Sequence, residues 1–83
     1  MATSKRLMDD MFDAYVDWRE ACRAVEDAYR SWFGATGART GVTFTRYSVA
    51  LDREERAAEA YAGLVERTLP RLLVRSAAAL RDR

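Results

Sequence analysis

Apolar side chains recur along the first part of the chain at alternating intervals of three and four residues. Such a series forms one stripe along a single helix, because a helix completes a turn in about 3.6 residues. The stripe predicts a first helix over about residues 4–33, with Gly34 in the left-handed conformation that often follows a helix end. Its members are Met8, Met11, Tyr15, Trp18, Cys22, Val25, Tyr29 and Trp32.

A second apolar stripe predicts a second helix over about residues 45–81. Three glycines between residues 34 and 41 mark the segment 34–43 as the loop between the helices. Glu54 occupies a position of this stripe at which an apolar side chain is expected, so it either marks the helix register or meets an arginine. The apolar members are Phe44, Tyr47, Leu51, Ala58, Tyr61, Val65, Leu69, Leu72 and Leu80.

Pro70 interrupts the second helix, because proline lacks a backbone N–H donor and its ring clashes with the preceding turn. Two arrangements fit the sequence. One is a continuous helix kinked near residues 66–70, and the other is a separate short third helix that begins near Pro70. We favour the kinked helix, since Gly63 lies further upstream at a position that tolerates a bend.

These elements predict an all-α fold of one domain, residues 1–83, in which two long helices form an antiparallel hairpin. A single helix pair has no deep interior for the nine aromatic residues of the chain. We therefore expect two hairpins to form a homodimeric four-helix bundle, with a folded-back third helix as the alternative. The end of the second helix supplies most of the predicted interface, which comprises Tyr61, Leu69, Leu72, Leu73, Ala77 and Leu80.

The composition argues against catalysis and metal binding. The chain has no His and one Cys, so it lacks the usual general base, the commonest metal ligand and any intrachain disulfide. Asp9, Asp13 and Asp17 share one helix face, but we interpret them as solvated or ion-paired because no His accompanies them. Cys22 lies within the aromatic stripe, where we expect it to be buried and inert. We predict a non-enzymatic protein without cofactor or metal.

The sequence also predicts a cytoplasmic location without membrane contact. No apolar stretch approaches the ~18 residues of a membrane span, and the first residues lack the apolar core of a signal peptide. The formal net charge of +1 provides no general attraction to nucleic acid or to an anionic membrane. Any electrostatic function must therefore depend on how the charges are distributed.

Two rows of opposite charge have the same four-residue spacing. An antiparallel hairpin places the acidic first segment beside the basic end of the second helix. We predict that the rows pair within the hairpin or across the dimer, in a register symmetric about residue 42. The predicted pairs are Asp9–Arg75, Asp13–Arg71 and Asp17–Arg67.

Self-association or binding of a partner helix is the function that the sequence favours, because its apolar surface exceeds what one hairpin can bury. The alternative is a small nucleic-acid-associated regulator that uses the segment 67–83. This segment contains five basic residues and one acid.

The tripeptide Trp32-Phe33-Gly34 resembles the Trp-x-Gly signature of small secreted helical hairpins that specialised bacterial systems export. The resemblance implies a secreted hairpin with this tripeptide at its turn, which is a minor alternative to a cytoplasmic protein. The C-terminal Tyr-x-x-x-Asp/Glu signal of those proteins is missing here, because Val65 stands four residues after Tyr61.

Overall fold

The chain forms a hairpin of two long helices, as expected for an all-α fold. The computed structural model describes residues 2–81, which comprise α1 (Ala2–Phe33) and α2 (Arg39–Arg81), with no strand among them. Aromatic rings of α1 contact rings of α2 in the pairs Tyr15–Tyr61 and Tyr29–Tyr47, so the two helices run antiparallel.

The first helix ends where the sequence predicts, at Phe33, but α2 begins at Arg39 rather than near residue 45. The predicted loop 34–43 is therefore too long, and the connection spans residues 34–38 only. In the extra helical turn Thr43 Oγ1 donates to the carbonyl of Arg39 at 2.8 Å, and Thr45 Oγ1 donates to that of Gly41 at 3.0 Å.

Gly37 makes the tight turn between the helices. It has a φ of 63°, in the left-handed region where L side chains are strained, and its carbonyl accepts a hydrogen bond from the Thr40 N–H at 3.2 Å. The expectation that Gly34 adopts the left-handed conformation is wrong. The Gly34 N–H donates to the Arg30 carbonyl at 3.1 Å and so extends the helical bonding pattern by one residue.

Two glycine substitutions are expected to change stability in opposite directions. Gly37→Ala should lower the free energy of unfolding by about 1–2 kcal/mol, because alanine is strained at positive φ. Gly41→Ala should raise it by about 0.5–1 kcal/mol, since Gly41 lies inside α2 with open space at its Cβ position. Urea denaturation followed by circular dichroism measures both changes. Equal effects of the two variants would contradict this assignment of the turn.

Helix α2 continues through Pro70 to Arg81, so the described residues form no separate third helix. The kink near residues 66–70 stays a prediction. Thr68 is buried, and its Oγ1 has no hydrogen-bond partner among the described residues.

Small side chains fill the centre of the contact between the helices. Three of the four buried residues of α2 are spaced by seven, at Thr43, Ala50 and Ala57, the fourth is Thr68, and Ala21 of α1 is fully buried. Small side chains let two helix backbones approach closely, which leaves no room for large rings between them. The aromatic stripes therefore lie beside the line of closest contact rather than on it.

The hairpin is long and thin. It measures 68 × 18 × 13 Å, and its radius of gyration is 19.1 Å, whereas a compact domain of this length has about 12 Å. Its accessible surface is 6663 Å², and a compact monomer of 9.5 kDa exposes roughly 5,000 Å². The single chain therefore exposes roughly 1,600 Å² more surface than a compact monomer of its mass.

Candidate interaction face

Two clusters of aromatic rings join α1 and α2 on one side of the hairpin. The first cluster contains Tyr15, Trp18 and Tyr61. The Trp18 ring stacks on Tyr61 with centroids 5.7 Å apart and an interplanar angle of 12°. Tyr15 contacts both rings at 6.2 and 5.5 Å.

The second cluster lies beside the loop and contains five rings. Trp32 stacks on Tyr47 at 5.5 Å and contacts Phe44 at 5.3 Å. Tyr29 bridges the helices through Tyr47 at 5.7 Å and reaches Phe33 at 6.0 Å within α1. Both clusters cross from one helix to the other, so they belong to one continuous surface.

We call this surface the aromatic face. Several of its large side chains are uncovered in the single chain, with Phe33 78% exposed, Phe12 65% exposed and Leu51 40% exposed. A shallow groove lined by Met8, Met11 and Phe12, together with Tyr15 and Tyr61, continues the face away from the loop. The face comprises Met8, Met11, Phe12, Tyr15, Trp18, Cys22, Tyr29, Trp32, Phe33, Phe44, Tyr47, Leu51, Glu54, Tyr61, Val65 and Leu69.

Glu54 is the one acidic member of the aromatic face, and it is half-buried. Its Oε1 accepts a hydrogen bond of 2.9 Å from Trp18 Nε1. The sequence marks Glu54 as an acid at an apolar position that either sets the register or meets an arginine, and within one chain its hydrogen-bond donor is the indole of Trp18. An uncharged donor satisfies one oxygen and leaves the negative charge unpaired.

Glu54→Gln is expected to strengthen any association that covers the aromatic face. The amide oxygen still accepts the Trp18 hydrogen bond, while an uncharged amide costs less to remove from water than an unpaired carboxylate. Sedimentation of the variant and the wild type at equal concentrations measures the change. A weaker association of Glu54→Gln would show that the charge itself makes a favourable contact.

The predicted charge rows do not meet within this hairpin. The ring pairs Tyr15–Tyr61 and Tyr29–Tyr47 are symmetric about residue 38 rather than residue 42. Asp17 therefore lies level with residue 59, and Arg67 lies about 12 Å further along α2. Among the described residues, the only ion pair within 4.0 Å joins Arg53 to Asp17 at 3.8 Å.

The remaining members of both rows are exposed side chains of the hairpin. The early start of α2 moves its register relative to α1, which explains why the three pairs do not form within one chain. The rows that remain without a partner at this distance are Asp9 and Asp13 on α1 and Arg67, Arg71 and Arg75 on α2. Pairing of these rows across a dimer stays a prediction.

The predicted interface residues at the end of α2 are largely uncovered. Leu73 and Leu80 are 67% and 70% exposed, Leu69 and Ala77 are exposed, and Leu72 is half-buried. In the observed register α1 begins level with residue 74, so the segment 75–81 has no helix beside it. Tyr61 differs from these residues, because it packs inside the first ring cluster.

Cys22 is a free, half-exposed thiol and not a fully buried one. It belongs to the stripe that lies beside the line of closest contact, whereas the preceding residue, Ala21, is the one that α2 covers completely. The prediction that Cys22 is buried is therefore wrong for the single chain.

Three further points concern a metal site, a membrane span and related proteins. Residues 2–81 contain no group of three or more His, Cys, Asp or Glu side chains that could hold a metal ion. Neither α1 nor α2, over the residues described, is long and apolar enough to cross a membrane. Comparison with known proteins finds no matching family model, curated protein or solved structure.

Proposed function

We propose that this protein is a non-enzymatic self-associating module whose aromatic face docks on the same face of a second copy. The product is a homodimeric four-helix bundle. The observation that carries the proposal is the uncovered aromatic face itself, which runs along both helices and has no third element to cover it among residues 2–81.

The accessible surface of the single chain is large enough for a dimer interface. The chain exposes about 1,600 Å² more than a compact monomer of its mass, and a stable interface takes about 800 Å² from each partner. A second hairpin also matches the face in length, because both copies have the same 68 Å extent. Adding two helices converts a pair without an interior into a bundle in which the rings are enclosed.

Labelling of Cys22 tests the proposal directly. A bulky maleimide should react slowly at concentrations where the dimer forms, because the second copy covers the aromatic face around this thiol. Dilution should raise the labelling rate towards that of a half-exposed cysteine, since dissociation of a dimer follows mass action. A rate that is independent of protein concentration and as fast as that of a free thiol would overturn the proposal.

The arginine row of α2 supports a second candidate function, binding of nucleic acid. Arg67, Arg71 and Arg75 have no acidic group within 4.0 Å among the residues that the structure describes. The terminal Arg83 of the predicted basic segment 67–83 lies outside those residues. Titration of a labelled DNA duplex at increasing salt separates the two functions, because phosphate contacts weaken steeply with ionic strength. Under the self-association proposal we expect no saturable binding.

A further inference from the structure

The margins of the aromatic face carry opposite charges on the two helices. Arg19 and Arg23 follow Tyr15 by four and eight residues, and they line the same surface groove as Tyr15. Each four-residue step rotates a side chain by about 40° around the helix, so these arginines flank the face on the outer side of α1. Arg30 continues this margin, which we call the α1 rim, and Glu26 interrupts it.

The α2 rim has the same geometry with the opposite sign. Glu55 and Glu59 follow Leu51 of the aromatic face by four and eight residues. Asp52, three residues before Glu55, and Glu66, seven residues after Glu59, extend this acidic rim along the same side of α2. All four carboxylates belong to exposed residues of α2, and none makes an ion pair within the described part of the chain.

On the opposite side of the hairpin, opposite charges of α1 and α2 meet within one chain. There Asp17 of α1 pairs with Arg53 of α2 at 3.8 Å, so α1 is acidic and α2 is basic along the edge where they meet within one chain. Along the margins of the aromatic face the signs are reversed. The reversed margins have no partner within one chain and complement each other between two chains.

Resting on the proposed self-association, we propose that the two hairpins dock with α1 of each copy against α2 of the other and with both loops at the same end of the bundle. In this arrangement the two-fold axis runs along the bundle. The observed register places Arg19 level with residue 57 and Arg23 level with residue 53. Arg19 then lies beside Glu55 and Glu59 of the second copy, and Arg23 lies beside Asp52 and Glu55.

The other face-to-face arrangement brings like charges together. With the loops at opposite ends, α1 packs on α1 and α2 packs on α2 about a two-fold axis near the middle of the hairpin. Arg19 then approaches Arg19 of the second copy, and Glu59 approaches Glu59. Like charges that face each other destabilise a complex, even where opposite charges would add little affinity. The two rims therefore favour the dimer with both loops at the same end.

A distance between two spin labels distinguishes the arrangements. The label is placed at Thr36→Cys in the loop, in a Cys22→Ala background, and sedimentation establishes the mass of the labelled protein. Loops at the same end give a label distance below about 25 Å, because neighbouring helices of a bundle lie 8–10 Å apart. Loops at opposite ends give about 50 Å, from the length of helix between loop and axis.

Each outcome is decisive. A dimer with the short distance supports the proposal, and a dimer with the long distance overturns the arrangement while self-association stands. A monomer without dipolar coupling overturns both.

A charge-swap cycle tests the same arrangement without labels. Arg19→Glu with Arg23→Glu, and separately Glu55→Arg with Glu59→Arg, should each weaken the dimer about tenfold or more at low salt. The combined variant should recover to within about threefold of the wild type, because each rim again meets its opposite. Circular dichroism of each variant checks that the helices are intact. Failure of the combined variant to recover would show that the rims do not meet.

Discussion

Replacing Trp18 with alanine is expected to lower the free energy of unfolding by about 3–5 kcal/mol, the largest loss expected from a single ring. The indole stacks on Tyr61, contacts the edge of Tyr15 and donates a hydrogen bond to Glu54. Truncation removes all three contacts, of which those with Tyr61 and Glu54 join α1 to α2. It also leaves the half-buried carboxylate of Glu54 without its donor, which adds a desolvation cost.

Trp18→Phe is the matched control for the ring. Phenylalanine keeps an aromatic surface against Tyr61 but cannot donate to Glu54, so it should cost about 1 kcal/mol for the hydrogen bond and somewhat more for the smaller ring. Urea denaturation must be run at one fixed protein concentration, since association contributes to stability. Equal losses for the two variants would mean that the ring stack contributes nothing beyond the hydrogen bond.

Leu51→Asp is expected to weaken self-association by a factor on the order of 100 while leaving the hairpin folded. Leu51 is 40% exposed on the aromatic face, between the two ring clusters, so one copy alone does not need it. Docking covers it, and the variant both loses the apolar burial and places an unpaired charge among rings.

Val49→Asp is the control, because it also places an aspartate in place of an exposed apolar side chain, two residues away. Val49 is 59% exposed and lies on the side of α2 away from the aromatic face. Leu→Asp loses a few tenths of a kcal/mol more helix propensity than Val→Asp, which is far less than the effect expected at the interface, so a large difference between the variants reports the position. Sedimentation should find Val49→Asp as associated as the wild type. A similar weakening in both variants would place the interface elsewhere.

The helical pattern predicted the class of fold because it depends on local periodicity alone. The heptad steps of the first stripe place the end of α1 at Phe33, where the structure has it. The same periodicity could not predict where α2 begins, because α2 starts at Arg39, before the first residue of its apolar stripe. Gly41 weakens a helix but does not forbid one, and α2 extends back through Gly41 to Arg39.

The contact between the helices could not be predicted from large apolar residues. Ala21, Ala50 and Ala57 have little side-chain surface, so a stripe drawn through Tyr15 and Trp18 passes beside the true line of contact. The aromatic stripes, which the sequence places in a core, therefore lie on an exposed face of the single chain. The ion pairs depended on register, which the loop length sets, and a loop five residues long moved every predicted pair.

The unusual position of Glu54 could be predicted from the sequence, but its hydrogen-bond partner could not. Its position in the apolar stripe correctly marked it as unusual. The identity of its partner required the three-dimensional register, because Trp18 lies 36 residues earlier in the chain. Arginine is the commoner partner of a carboxylate by charge, but the face around Glu54 is built from rings.

Sedimentation equilibrium of the wild-type protein across a wide concentration range determines whether a second copy covers the aromatic face. One chain has a mass of 9.5 kDa. Self-association through the aromatic face predicts a mass of twice that value at micromolar concentrations, decreasing towards one chain only on dilution. A mass of one chain at every concentration would contradict the account, because the aromatic face would then remain uncovered in solution.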